Sequence, residues 1–175
     1  MKTLIKSMLS LTLVMGLGYA ANAQITSSAP ASATVLFELT IELDGTQNEI
    51  AFGNISSTTP GAVELDANGT SNVNTGSTTN VARFDLGGAD SEVTVNYDPT
   101  VILIDGAANE IIMTPEVVGA ETVAEQTTAT LVPSGTTVTL AAGAYSLWVG
   151  GSFPALAGQV AGAYTGTFNI AVEYN

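Results

Sequence analysis

The side chains able to do chemistry in this sequence are almost all carboxylates: sixteen Asp and Glu stand against three Lys and Arg, with no His and no Cys. Without His the commonest general base is missing, and without Cys the strongest nucleophile; the usual zinc, iron and copper ligands go with them. The serines have neither a histidine to activate them nor a G-x-S-x-G elbow to present them. A glycosidase needs two carboxylates about 5 to 9.5 Å apart, one with a raised pKa, and no pair is singled out by spacing. No enzymatic activity and no cofactor are therefore expected. Asp85, Asp90 and Glu92 are candidate calcium ligands in so acidic a chain. The regular D-x-[DN]-x-[DN]-G loop is absent, however, and Asp66-Ala67-Asn68-Gly69 reads better as a hairpin turn, so solvated turn acids are the expectation. Trp148 with Tyr145 is a candidate sugar-stacking platform. In a strand, though, Tyr145, Leu147 and Val149 share one face and Trp148 takes the other, which favours a core role.

The charge balance bears on partners as well. Nucleic acid is excluded, because binding phosphate requires Lys and Arg, and Lys2 and Lys6 both belong to the leader. Residues 1–23 have a cationic start, an apolar run from Met8 to Gly18 and a small-x-small site at Ala21-Asn22-Ala23, the pattern of a secretory signal peptide. A membrane anchor would need about 20 apolar residues, and Asn22 and Gln24 interrupt too early. The expectation is export through the periplasm to the cell surface or medium, with no membrane span after the leader is removed. The mature chain of about 150 residues is large enough for one domain. Its one cation is Arg83, expected to pair with a nearby acid.

Along the mature chain, residues 24–34 (QITSSAPASA and Thr34) are small and polar, an extended arm. Residues 35–43 then alternate: Val35, Phe37, Leu39, Ile41 and Leu43 on one side, mostly polar residues on the other, which predicts a half-buried strand. Further short strands are expected at Ile50–Gly53, Ala62–Leu65, Val81–Leu86, Glu92–Tyr97, Val101–Ile104, Glu110–Met113, Thr136–Leu140 and Tyr145–Gly150, separated by Gly, Pro and Asx turns. No window has helical periodicity; the most helix-like stretch, Val117–Thr130, carries Gly119 and many β-branched residues. Eight to ten short strands predict an antiparallel immunoglobulin-like (Greek-key) β-sandwich over 35–175, with a closed barrel as the alternative. An outer-membrane barrel is disfavoured, since its strands need about 9 to 11 residues each.

Residues 162–174 are the most informative segment. Tyr164, Gly166, Phe168, Ile170, Val172 and Tyr174 fall on one side; Thr165, Thr167, Asn169, Ala171 and Glu173 fall on the other. This predicts one long amphipathic strand, and such a strand needs a partner on each side or a device to protect its edge. None is visible: it has no Lys and no Pro.

This ending, together with Leu147-Trp148-Val149-Gly150-Gly151 and Ile50-Ala51-Phe52-Gly53, resembles an exported bacterial family known as domain of unknown function 4402. The ending is similar in turn to that of spore-coat-U-like and chaperone–usher pilus subunits, in which a Gly lies fourteen residues from the end and a Tyr next to last; Gly162 and Tyr174 stand there. The resemblance implies a structural subunit of a surface filament of the fimbrial or adhesive kind. In such pilins the N-terminal arm of one copy fills a groove beside the terminal strand of the next, and a periplasmic chaperone and usher can assist. The implied subunit interface comprises Val35, Phe37, Leu39, Gly162, Tyr164, Phe168, Ile170, Val172 and Tyr174. The chain departs from many pilins in lacking a disulfide and in the small residues of its arm. Residues 24–34 are thus either a donor strand reaching into Val35, Phe37 and Leu39, or a leader to a self-contained domain. The alternative function is a stand-alone secreted module binding carbohydrate or matrix.

Overall fold

The computed structural model describes residues 26–175. The expected signal peptide at 1–23, with Gln24 and Ile25, lies outside them. The chain divides into two units, Met1–Thr34 and Val35–Asn175. In the first, residues 26–34 are exposed and form no regular element. The second contains ten strands and one short 3-10 helix.

All strands pair antiparallel. The larger sheet contains, in spatial order, β1 (Thr40–Leu43), β3 (Ala82–Gly87), β9 (Ala144–Phe153), β6 (Glu110–Ala120) and β5 (Val101–Ile104). The short β2 (Val63–Leu65) pairs with the end of β9, and β7 (Thr130–Leu131) pairs with β6. The smaller sheet has β4 (Glu92–Tyr97) at its centre, flanked by β10 (Ile170–Tyr174) and β8 (Thr136–Thr139). The fold is an all-β sandwich. Its main core lies where Val93, Val95 and Val138 of the smaller sheet meet Leu86, Val117, Leu147 and Val149 of the larger one.

Strand β9 is buried on both faces, because a second cluster covers the other side of the larger sheet. Leu147 and Val149 point into the first cluster; Trp148, fully buried, joins Phe52, Val63, Leu65, Val118 and Phe153 in the second. At Gly150 the Leu65–Ala67 backbone comes so close that a Cβ would lie 2.8 Å from the Ala67 nitrogen, so only glycine fits. Gly53 has φ +74 and faces the Thr78 carbonyl just as tightly. These contacts give a packing reason for two of the three sequence motifs noted above.

The structure departs from the sequence reading in four places. Ile50–Gly53 contributes one isolated bridge, Ala51 to Asn80, and no strand. Val117–Thr130 is divided between the end of β6, a 3-10 helix at Val123–Thr128, and β7. The helix start is marked by Thr122, whose N–H and hydroxyl both donate to the Glu125 carboxylate (3.3 and 3.0 Å), a T-x-x-E signature visible in the sequence. The strand predicted over 35–43 forms a ladder only from Thr40, and that predicted over 162–174 only from Ile170. Both alternate as read, but residues 35–39 have no ladder partner among the described residues, and the stretch before Ile170 keeps only isolated backbone contacts. Residues 163–167 instead turn to the outer edge of β5, where Thr165 and Ile104 exchange backbone hydrogen bonds of 2.9 and 3.1 Å.

Candidate functional site

The two departures at the strand ends frame one feature. Among the described residues β10 pairs with β4 alone and β1 with β3 alone, so each sheet has an edge with no described partner on the same side of the sandwich core. The hydrogen-bond pattern shows which groups are free. Asp98 N–H donates to the Asn169 carbonyl and Asn175 N–H to that of Glu92, both at 3.3 Å. Bonded pairs alternate along an antiparallel ladder, so Ala171 and Glu173 also face β4. The N–H and C=O groups of Ile170, Val172 and Tyr174 point outward, with no partner among the described residues. On β1 the Asp44 N–H donates to the Arg83 carbonyl (2.9 Å), which by the same alternation leaves the groups of Ile41 and Leu43 outward.

The side chains between these edges are apolar and half-buried: Leu39, Ile41 and Phe84 from one sheet; Tyr97, Ile170, Val172 and Tyr174 from the other, with Phe168 beside them. Phe168 packs against Phe84 and Tyr97 with ring centroids 6.2 and 5.7 Å apart. Burial pushes the Tyr97 phenol above its usual pKa, and its hydroxyl donates to the Val132 carbonyl at 2.9 Å. Past Phe168 the seam opens into a cleft of about 860 Å³, with Leu43, Phe52, Met113 and Phe153 in its lining and residues 159–168 as one wall. At that wall Gly162 lies against the Asp105 carboxylate. This carboxyl is held below its usual range by the Asn109 side-chain amide and then the N–H groups of Asn109 and Ala107. Tyr164 donates to the Val160 carbonyl (2.8 Å) and accepts from Gln159 (2.9 Å).

Of the nine residues expected at an interface, Phe168, Ile170, Val172 and Tyr174 line the seam, and Gly162 and Tyr164 line the cleft. Leu39 packs into its own core. Val35 and Phe37 are 93% and 80% exposed, large apolar side chains in open solvent. The Phe37 backbone is nevertheless anchored: the Tyr174 hydroxyl accepts the Ala89 N–H (2.7 Å) and donates to the Phe37 carbonyl (3.0 Å). Sequence reasoning missed the opposite wall, Leu43, Phe52, Phe84, Met113 and Phe153, whose residues lie far apart in the chain.

The model of the family described as Domain of unknown function (DUF4402) matches residues 39–174. The chain belongs to the DUF4402 family. A search among curated proteins finds no match. The matched span covers both free edges and the whole cleft of this DUF4402 chain, and it begins after Val35 and Phe37.

The weaker candidates are not assembled in the structure. Asp85 is engaged by Arg83 (3.1 Å) and the Ser146 hydroxyl (2.9 Å), and among the described residues no group of three acids could hold a metal ion. Arg83 also pairs with Asp44 at 2.5 Å, the kind of ion pair expected of it. Trp148 has no exposed face to offer a sugar. Among the described residues no helix is long and apolar enough to cross a membrane.

Proposed function

We propose that this protein is a non-enzymatic, exported structural subunit of a bacterial surface filament, and that copies join by adding a strand from one to the open edge of the next. The observation that carries this reading is the edge of β10: three residues' backbone groups without a partner among the described residues, above a half-exposed apolar seam. Edges of this kind template another strand. The similarity of the ending to spore-coat-U-like and pilus subunits agrees with it.

The donor on this reading is the segment before β1. Residues 26–37 carry no charge, so they enter a neighbour of like charge without repulsion. Extended, they span about 40 Å, enough to follow β10 and the cleft wall. Val35 and Phe37 each contribute about 1.5 to 3 kcal/mol when fully buried. Residues 35–39 (Val-Leu-Phe-Glu-Leu) contain no Gly, Pro, Asn or Asp with which to turn back into the same copy.

The test uses the double substitution Val35→Ser/Phe37→Ser alongside deletion of residues 24–34. The wild type should give SDS-resistant ladders on unboiled gels and fibres by negative stain. Both variants should stay folded and monomeric. Ladders that persist in both would reject the reading.

A further inference from the structure

We propose that the outward face of the β5–β6 hairpin, built on Ile102, Ile104 and Ile112, is a contact between copies of this chain, through which neighbouring filaments associate side by side. The proposal rests on the filament reading and concerns a different surface from the strand edges above.

Register places the three side chains together. Ile102 stands directly opposite Ile112 across the hairpin, and Ile104 follows two residues along β5. The Asp105 N–H donates to the Asn109 carbonyl at 3.1 Å. By the alternation of an antiparallel ladder Ile102 and Ile112 are then a non-hydrogen-bonded pair, with Cα atoms about 4.5 Å apart and side chains close. The opposite face of the same hairpin, Val101, Leu103, Ile111 and Met113, lines the cleft. The hairpin is apolar on both faces and covered on one.

Continuous apolar runs such as Val101-Ile102-Leu103-Ile104 and Ile111-Ile112-Met113 belong to strands buried on both sides. Strand β9 is such a strand, its second face closed by the cluster around Trp148. On the hairpin, Ile102, Ile104 and Ile112 remain 49%, 41% and 54% exposed. A face that meets only water looks different in this chain: the smaller sheet turns Thr94, Asn96, Thr137, Thr139 and Glu173 away from its core valines.

Charge and area identify the occupant as a second copy. A chain with sixteen acids and three basic residues opposes an anionic membrane or a polyanion. A cationic partner would find one carboxylate on this face, Glu110 opposite Ile104, because Asp105 at the hairpin tip is taken up by Asn109 and the Ala107 N–H. Another acidic copy meets least repulsion where the surface is apolar. Two hairpins packed face to face with strands antiparallel bring each isoleucine of the central pair against its own equivalent, and the two Glu110 carboxylates lie at opposite ends. This contact is isologous and closes on itself. Three half-exposed isoleucines offer about 300 Å², well below the roughly 800 Å² per partner of a stable pairwise complex. The contact is therefore weak between free subunits, and repetition along two filaments multiplies it.

The test uses the full chain carrying Ile102→Thr/Ile112→Thr, which keeps branched side chains suited to a strand at positions facing away from the cleft. Its SDS-resistant ladders and urea midpoint should match the wild type. Side-by-side bundles in negative stain should disappear, and the filament mass pelleted at low speed should fall about tenfold or more. Bundles unchanged in this variant would overturn the proposal. A second experiment needs no filaments, since the chain has no cysteine. A short bifunctional maleimide should join Ile112→Cys chains into dimers about ten times faster than Thr139→Cys chains, because the first pair is held face to face at raised effective concentration. Equal rates would overturn the proposal. Fast Ile112→Cys dimers from a chain that forms no ladders would support the contact and reject the filament reading, a distinct failure. Flotation on phosphatidylcholine vesicles that is lost in the threonine variant, with bundling unaffected, would assign the face to a membrane and overturn the second copy as its occupant.

Discussion

Tyr174 donates its hydroxyl proton to the Phe37 carbonyl across 3.0 Å while accepting the Ala89 N–H at 2.7 Å. One side chain thus ties β10 to the turn after β3 and to the segment entering β1. Removing the oxygen leaves the ring's packing and strands a backbone donor. Tyr174→Phe should lower stability by about 1 to 3 kcal/mol, read as a fall in urea midpoint at unchanged m-value. It should also expose residues 35–39 to faster proteolysis. Unchanged cleavage there would show that the hydroxyl does not hold the entry segment.

The alternation along β10 makes a sharper prediction. Val172 presents its N–H to the free edge, whereas Ala171 presents its N–H to β4. Proline lacks that donor, and sheets tolerate it only where the donor faces outward. Ala171→Pro should therefore unfold or strongly destabilise the domain, by about 3 kcal/mol or more. Val172→Pro should keep the cooperative transition and yet abolish ladder formation. Circular dichroism melts and unboiled gels on the same samples check both. Equal damage from the two substitutions would mean that β10 is paired on both edges.

These two positions also show what was legible in the sequence and what was not. Period-two alternation identified Ala62–Leu65, Val81–Leu86, Glu92–Tyr97 and Val101–Ile104 as strands, since each has its ladder partner within the chain. It overextended 35–43 and 162–174, because alternation reports which face is apolar and says nothing of whether a neighbour is present. The same pattern that failed as a strand boundary marks the seam, where apolar side chains alternate beside an unpaired edge. The cleft's second wall was illegible for another reason: Leu43, Phe52, Phe84, Met113 and Phe153 come together only through sheet order, which no local window contains. The 3-10 helix did carry a local signal in Thr122 and Glu125, overshadowed by the β-branched residues around it.

Three aspartates link stability to acid. The Gln47 N–H, then the hydroxyl and N–H of Thr46, hold the Asp44 carboxyl well below its ordinary 3.8, and the Arg83 charge adds to this. Burial alone would raise Asp66, but the Thr70 hydroxyl and three backbone N–H groups outweigh it; Asp105 is lowered by Asn109. A carboxyl with a depressed folded pKa takes up its proton first in the unfolded chain, so its stabilisation is complete above about pH 4 and is lost as pH falls below. The melting temperature should drop from pH 4 toward pH 2. Asp44→Asn should lower the plateau and flatten that slope, while the same melts at pH 6 to 7 stay independent of pH. A wild-type curve that rises into acid would show that relief of charge repulsion outweighs these three groups.

Fifteen of the sixteen carboxylates fall between Glu38 and Glu125, and residues 126–172, which include one whole wall of the cleft, carry no charge at all. On the strand-addition reading the seat therefore does not oppose the arm; the opposition comes from whole domains of like charge brought end to end. Such repulsion is screened over about 8 Å at physiological ionic strength, so raising NaCl from 10 mM toward 150 mM should speed assembly followed by light scattering, with little further gain beyond. Of the candidate calcium ligands, Asp85 is already held by Arg83 and the Ser146 hydroxyl, so calcium should act only through ionic strength. CaCl2 and NaCl matched in ionic strength should give equal rates, and chelator should leave the melting temperature unchanged. A calcium-specific acceleration would place a cation in the contact between copies and assign the acids near β3 and β4 a role in assembly.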